Sequence, residues 1–346
     1  MKLGLLMGYA GRKINLPLDA IRAAEQIGYD SVWTAEAYGN DAVTAATWIL
    51  AHTKTIKVGT SIMQMPARTP AMAAMTAMSL AQLSGDRFII GVGASGPQVV
   101  EGWHGVPYGK PVTRLKEYVQ IMRKIFERQD ALSFDGKEYQ IPYRGPGSTG
   151  LGKPLKSIVH IDKPIPIYAA TLTPAGVAAA AEVADGFFPV WMDPEQYHVF
   201  AEPIAKGFAA AGNGKSLDTF AICPFVTAVM GDDVAKCMAP IKASMALYIG
   251  GMGAKGKNFY TDYATRLGFG EAAAQIQDLY LAGKKEEAAA LVPDALVDAC
   301  HLVGPAPRIK ERVQRWIAAG KQKHVHSMLI RSDDPKLLEL LAKEVL

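Results

Sequence analysis

The sequence predicts an α/β protein, a closed (β/α)8 TIM barrel with insertion segments. Three observations predict it. Eight short apolar runs rich in β-branched residues alternate with longer amphipathic or Ala-rich stretches, which is strand and helix periodicity in turn. Several helical stretches open with an X-Pro pair soon after a strand, as at Thr69-Pro70, Thr173-Pro174, Asp193-Pro194 and Asp334-Pro335. Helices placed this way are crossovers between parallel strands. Finally, no G-x-G-x-x-G follows a strand. Gly91-x-Gly93 lacks the third glycine, which argues against an open dinucleotide-binding sheet.

Taken in order, Leu3–Gly8 reads as a strand and Leu16–Gly28 as a helix, with Pro17 near its start and Gly28 at its end. Ser31–Glu36 is the second strand and Asp41–His52 the second helix. Lys57–Met63 carries Val58, Thr60 and Ile62 and forms the third strand. Thr69-Pro70 caps an Ala/Met/Leu-rich helix over Ala71–Leu83, which Ser84-Gly85-Asp86 stops. Phe88–Val92 is the fourth strand, Val112–Gln129 an amphipathic helix, and Leu132–Gln140 a small hairpin outside the main sheet. Ile141–Lys163 is rich in Pro and Gly and reads as a long loop, expected to act as a lid over the substrate mouth. Ile165–Ala170 and Gly186–Met192 are strands five and six, each followed by an X-Pro helix start. Phe220–Val229 is strand seven and Asp232–Tyr248 the next helix. Residues 250–293 read as a helical insertion, with helical patterns at Glu271–Ala282 and Lys284–Leu291. Leu302-Val303-Gly304 leads into a helix at Pro307–Ala319, His326–Arg331 is strand eight, and a terminal helix follows Asp334-Pro335. One barrel over residues 1–346 is the expected organisation, with insertions at 141–163 and 250–293.

The 346 residues are 49% hydrophobic and 20% charged, enough to bury a large core. The net charge of +4 is spread along the chain with no Lys/Arg block, so nucleic acid is not an expected partner. Cys223, Cys237 and Cys300 are odd in number and widely spaced. They suggest neither a disulfide framework nor a zinc site, and no metal-ligand spacing occurs among the histidines. The apolar start soon meets Arg12-Lys13, and no run reaches membrane-spanning length. A cytoplasmic location is expected.

One stretch is more specific. Arg68-x-Pro70, the Ala-rich helix, and Leu83-Ser84-Gly85-Asp86-Arg87-Phe88-Ile89-Ile90-Gly91-Val92-Gly93 closely resemble the luciferase-like monooxygenase superfamily. Val58-Gly59-Thr60-Ser61-Ile62 resembles its coenzyme F420 (deazaflavin) branch, which includes methylenetetrahydromethanopterin reductase and mycobacterial F420-dependent oxidoreductases. The resemblance implies hydride transfer between the deazaflavin C5 and a small organic substrate. A flavin mononucleotide (FMN) monooxygenase of the same fold is the alternative, since both cofactors are phosphate-bearing tricycles. A barrel that binds a cofactor without turnover is a third reading. The resemblance also implies a homodimer, for which the Met/Ala face of Ala71–Met78 is suited.

Candidate site residues fall at strand ends, where a barrel keeps its chemistry. Glu36 ends strand two; read plainly it caps the next turn, and by resemblance it supports the cofactor-binding loop. The branch often carries a histidine next, whereas this chain has Ala37 followed by Tyr38, so Tyr38 is a candidate for the missing function. Ser61-Ile62 would by resemblance form a cis peptide bulge against the cofactor ring. Gly93, Ala94, Ser95 and Gly96 make a turn whose Gly96 lets the backbone approach a flat ligand. Gln98 is a candidate catalytic contact, with Glu101 beside it and His104 expected to satisfy a loop. Ala169, Ala170 and Thr171 precede a capped helix start. There free N–H groups suit an anion, and the resemblance assigns the cofactor phosphate. Trp191 and Arg331 end strands six and eight, Arg331 within reach of Asp333 or Asp334. Tyr9, Trp103 and Trp191 suggest a substrate that is apolar or aromatic in part.

Overall fold

The structure, a computed structural model, describes residues 1–9 and 11–346. Eight parallel strands carry the fold: β1 (Lys2–Leu6), β2 (Ser31–Thr34), β3 (Lys57–Thr60), β4 (Phe88–Gly93), β5 (Ile167–Ala170), β6 (Gly186–Phe188), β7 (Phe225–Met230) and β8 (Ser327–Arg331). From β1 to β6 each pairs with the next, β7 pairs with β8, and β8 returns to β1 with Lys2 opposite Ser327. The gap between β6 and β7 is closed by Ala221–Ile222, which pairs with β6. Past it, the N–H of Cys223 donates to the Phe187 carbonyl at 3.0 Å, and the Leu329 N–H of β8 donates to the Pro224 carbonyl at 2.9 Å. Pro224 has no N–H, so it splits this strand in two without opening the ring. The result is the expected (β/α)8 barrel.

Alternate residues of each strand point inward. In the middle layer Trp33 stacks on Tyr168 at 5.6 Å and meets Phe188 edge-on at 5.1 Å, and Phe225 stacks on Phe188 at 5.4 Å. These rings plug the barrel, which is therefore a core and not a pore. Below the plug, at the amino end of the strands, lies a cavity of about 170 Å³ lined by Lys2, Asp30, Lys57, Tyr168 and Ser327. It sits at the opposite end from the strand-end residues considered below.

The X-Pro signals locate most helix starts. Thr69 accepts from the Met72 N–H ahead of Pro70–Ser84, and Gly85 ends that helix at φ 69°. Thr173 caps Pro174–Val183 in the same way. Asp193-Pro194 does not open a helix. The Asp193 carboxylate accepts from the Glu195 N–H at 3.0 Å and the Gln196 side chain at 2.9 Å, building a turn, and the helix begins later at His198–Ala211. Leu302–Gly304 is a short strand paired to the outside of β7, not only a lead-in. Pro97–Gly102 is helical where a loop was expected. Across the insertion run Phe259–Ala264, Gly270–Leu281 and Lys285–Ala290, and the helix Asp294–Cys300 follows it.

The hairpin of Phe134–Asp135 with Gln140–Ile141 is present. Buried Glu117 holds it by accepting from the N–H groups of Lys137, Glu138 and Tyr139 at 2.7–3.0 Å. The loop that follows does not lie as a lid over the mouth along its second half. Gln82 donates to the His160 carbonyl at 2.8 Å and Arg128 to the Ser157 carbonyl at 2.7 Å. Both anchors sit at the carboxyl ends of crossover helices. Those helices run back against the strands, so this part of the loop lies toward the barrel's amino end.

Candidate active site at the carboxyl end of the barrel

Glu36 follows β2 and is buried. Its carboxylate accepts from the Ala42 N–H at 3.0 Å, from the Gln64 N–H at 2.8 Å, and from both terminal nitrogens of Arg68 at 2.6 and 3.2 Å. A forked guanidinium matches a carboxylate in this two-point way. Arg68 also bonds Asp41. Burial pushes the Asp41 carboxyl up, and hydrogen bonds from Thr44 with the Arg68 charge outweigh it, so its pKa falls below the ordinary value. The network ties the end of β2 to the segment that follows β3.

That segment contains the Ser61–Ile62 peptide bond, which is cis, as the resemblance implied. The Ser61 N–H donates to the Thr34 carbonyl at 2.6 Å, while the buried Ser61 Oγ has no hydrogen-bond partner. Ile62 then faces Gly93. A Cβ on Gly93 would stand 2.9 Å from Ile62 Cγ1, so only glycine admits this side chain.

Gln64 joins the network to a residue that the sequence left as a loop filler. Its side-chain nitrogen donates to the Ala37 carbonyl at 2.6 Å, which turns its oxygen toward His104 Nε2 at 3.2 Å. The oxygen can only accept, so Nε2 carries a hydrogen. His104 therefore stands beside position 37, delivered by the turn after Pro97–Gly102. No spacing rule would have found it, because Ala37, Gln64 and His104 meet only in the folded barrel.

The other candidates divide. Gly93, Ala94, Ser95 and Gly96 line one turn at the end of β4, with Ser95 left-handed at φ 61°. Ala169 and Ala170 end β5, and Thr171 packs against Gly176 in the first turn of Pro174–Val183. Arg266, from the helical insertion, donates to the Leu172 carbonyl at 2.6 Å and so adds a cation at this helix start. Tyr38 is 65% exposed with its ring 6.5 Å from Trp103, and Gln98 is exposed. Neither joins the Glu36 network. Arg331 makes no ion pair with Asp333 or Asp334, and Asp334 instead caps Pro335–Val345. Among the described residues no cluster of His, Cys, Asp or Glu is arranged to hold a metal, and no helix is long and apolar enough to cross a membrane.

An orphaned Ser61 hydroxyl, a glycine-lined turn and a helix start with an added cation fit a flat, phosphate-bearing cofactor. The family model described as luciferase-like monooxygenase matches residues 6–323, and the chain belongs to that family. A Mycobacterium tuberculosis protein, provisionally named a coenzyme F420-dependent oxidoreductase, is 42% identical over 322 residues, covering 92% of this chain and 93% of that one. Among solved structures, the coenzyme F420-dependent tetrahydromethanopterin reductase of Methanopyrus kandleri superposes with a TM-score of 0.78 at 22% identity, covering 99% and 98% of the two chains. The oxygenating constituent of 3,6-diketocamphane monooxygenase from Pseudomonas putida, complexed with FMN, gives 0.65 at 18% identity and 100% and 97% coverage. At these identities the two structures speak for the fold alone. The chain is thus an oxidoreductase of the luciferase-like family.

Proposed function

We propose that this enzyme uses coenzyme F420 to pass a hydride to or from a small organic substrate. The relative at 42% identity supports the deazaflavin, and the Glu36–Gln64–Arg68 network beside Ser61–Ile62 is the observation that carries the site. The bound cofactor would supply the hydride acceptor or donor carbon. The protein supplies position and protons. Glu36 and Arg68 fix the Ser61–Ile62 segment as a rigid backing for the ring, and Ser61 Oγ offers it a free hydrogen-bonding group. Gly93, Ala94, Ser95 and Gly96 allow close backbone approach to its edge. Ala169, Ala170 and Thr171 receive the phosphate at the start of Pro174–Val183, with Arg266 beside it. Tyr38 and Gln98 line the rim where substrate arrives.

Transfer of a hydride to or from a carbon bearing oxygen or nitrogen needs a proton partner. Glu36 is committed to four donors and is not free for that task. An imidazole can give or take that proton, and His104, held by Gln64 through Nε2, is the one beside this network. We further propose a homodimer in the cytoplasm, where three buried free thiols stay reduced.

Titration of the apo protein with oxidised deazaflavin and, separately, with FMN tests the cofactor. Deazaflavin is expected to bind at micromolar concentration or below and FMN far more weakly. Preference for FMN would move the enzyme to oxygen-dependent chemistry, and binding of neither would remove the proposal.

A further inference from the structure

The inward-facing layer above the aromatic plug is built almost wholly from small residues. Strand alternation places Gly8, Ser61, Gly93, Ala170 and Thr227 there, with one large charged group, Arg331 of β8. Its orientation follows from Leu329, two residues earlier, which packs inside the barrel with Trp33. It follows also from Gly8, where an added Cβ would stand 3.1 Å from Arg331 Nη2. The guanidinium is solvent-accessible and has no hydrogen bond or ion pair among the described residues. Most other arginines of the barrel are paired, Arg68 to Glu36 and Arg123 to Asp185 among them.

An aromatic wall stands beside it. Trp191 lies 5.5 Å from Tyr260 and 6.3 Å from Tyr248, and Tyr248 and Tyr260 are 4.8 Å apart, ring to ring. Tyr9 follows Gly8, which faces Arg331, and both Tyr9 and the Arg331 charge lie near enough to the Tyr248 hydroxyl to act on it electrostatically. Trp191 holds a left-handed backbone, φ 46°, at the end of the strand-six segment. β8 lies across the ring from β4. A cofactor seated between the Ser61–Ile62 segment and the end of β5 leaves the β8, β1 and β7 side for the reacting partner.

We propose that Arg331 and the wall of Tyr9, Tyr248 and Tyr260, backed by buried Trp191, form the substrate subsite, selective for an aromatic or flat apolar molecule that carries a carboxylate. A carboxylate satisfies the guanidinium by two parallel hydrogen bonds, and a flat ring packs on the tyrosine faces. This names the substrate class of the oxidoreductase proposed above and rests on that reading.

The test uses simple probes on the whole protein, apo and deazaflavin-loaded. Benzoate and phenylacetate are titrated against benzamide and phenylacetamide by tryptophan fluorescence and calorimetry. The wild type is expected to bind each acid about tenfold or more tightly than its amide. Arg331→Gln should abolish that preference and leave deazaflavin affinity unchanged, and Arg331→Lys should restore only part of it. No acid preference in the wild type, or the same preference in Arg331→Gln, would overturn the proposal. So would a large loss of deazaflavin affinity in Arg331→Gln, which would place the guanidinium on the cofactor. Failure of the F420 reading looks different: wild-type protein that binds no deazaflavin, whatever the acids do.

Discussion

Glu36 accepts from four donors, one pair of them on the partly buried Arg68, so its replacement separates positioning from folding. Glu36→Gln keeps the shape, loses the charge that Arg68 faces, and turns an amide N–H toward a donor. Breaking a largely buried pair in this way costs about 3 kcal/mol. We expect a melting temperature lower by several degrees and deazaflavin affinity down about tenfold, because the Gln64 segment is no longer held. Unchanged affinity would show that the network is structural only. His104→Gln keeps a hydrogen bond to Gln64 but cannot pass a proton. It should lower kcat by about a hundredfold, with deazaflavin binding intact. A variant that retains the wild-type kcat would remove His104 from proton transfer. His301 predicts stability in place of rate. It is fully buried, its Nδ1 accepts from the Thr227 N–H at 3.1 Å, and burial, aided by Arg331, pulls its pKa down to about 3. The unfolded chain therefore takes up this proton near pH 6.5 while the folded one resists it. His301 costs nothing above that pH and costs stability progressively as pH falls toward 3, about 2 kcal/mol between pH 6.5 and 5. His301→Asn should show a shallower loss of melting temperature over that interval. Parallel curves for the two proteins would rule this out.

At the scale of elements, the strands were legible because each is a short apolar run bounded by Gly, Pro or Asp, and the barrel leaves those runs nowhere else to pack. Capped X-Pro starts were legible at Thr69 and Thr173 because the cap and the proline act within one turn. Asp193-Pro194 has the same letters, yet Asp193 spends its oxygens on Glu195 and Gln196. Local chemistry there suits a turn equally well, and only tertiary packing decides. The strand at Leu302–Gly304 was hidden because its partner, β7, is more than 70 residues away. For the same reason Gln64, His104 and Arg266 escaped a reading that weighed residues by their neighbours in sequence. Arg266 makes the element-scale prediction. It reaches from the insertion to the Leu172 carbonyl and lies over the Tyr263 ring at 5.3 Å, so in the proposed reading the insertion completes the start of Pro174–Val183 as an anion site. Arg266→Ala should weaken phosphate-bearing deazaflavin by roughly fivefold to tenfold, the size of one partly exposed charge-assisted contact. It should leave a phosphate-free deazaflavin unaffected. Equal loss for both forms would mean that the arginine shapes the loop and does not meet the phosphate.

At the scale of the whole molecule, the apolar surface is unevenly distributed. Trp48 is 55% exposed on Ala42–His52, and Met72, Met75 and Leu83 are 52–84% exposed on the neighbouring helix Pro70–Ser84. Along that helix runs the loop carrying Leu155 and Ile158, 69% and 93% exposed, which the Gln82 and Ser157 contacts hold in place. Single exposed apolar residues are ordinary, but a set of them spread over two helices and a pinned loop supports the proposed dimer interface. It also gives the long loop a reason for its position, since a segment anchored along this flank can serve a second copy and cannot close the mouth. Two copies that meet through this same patch would form a two-fold dimer. We therefore expect light scattering after gel filtration to give twice the chain mass at micromolar concentration. The double variant Met75→Glu and Leu83→Glu, which places four carboxylates across the symmetric contact, should give the monomer mass without loss of deazaflavin binding, because both residues face away from the barrel mouth. A wild type that elutes as a monomer, or a double variant that remains dimeric, would move the interface elsewhere.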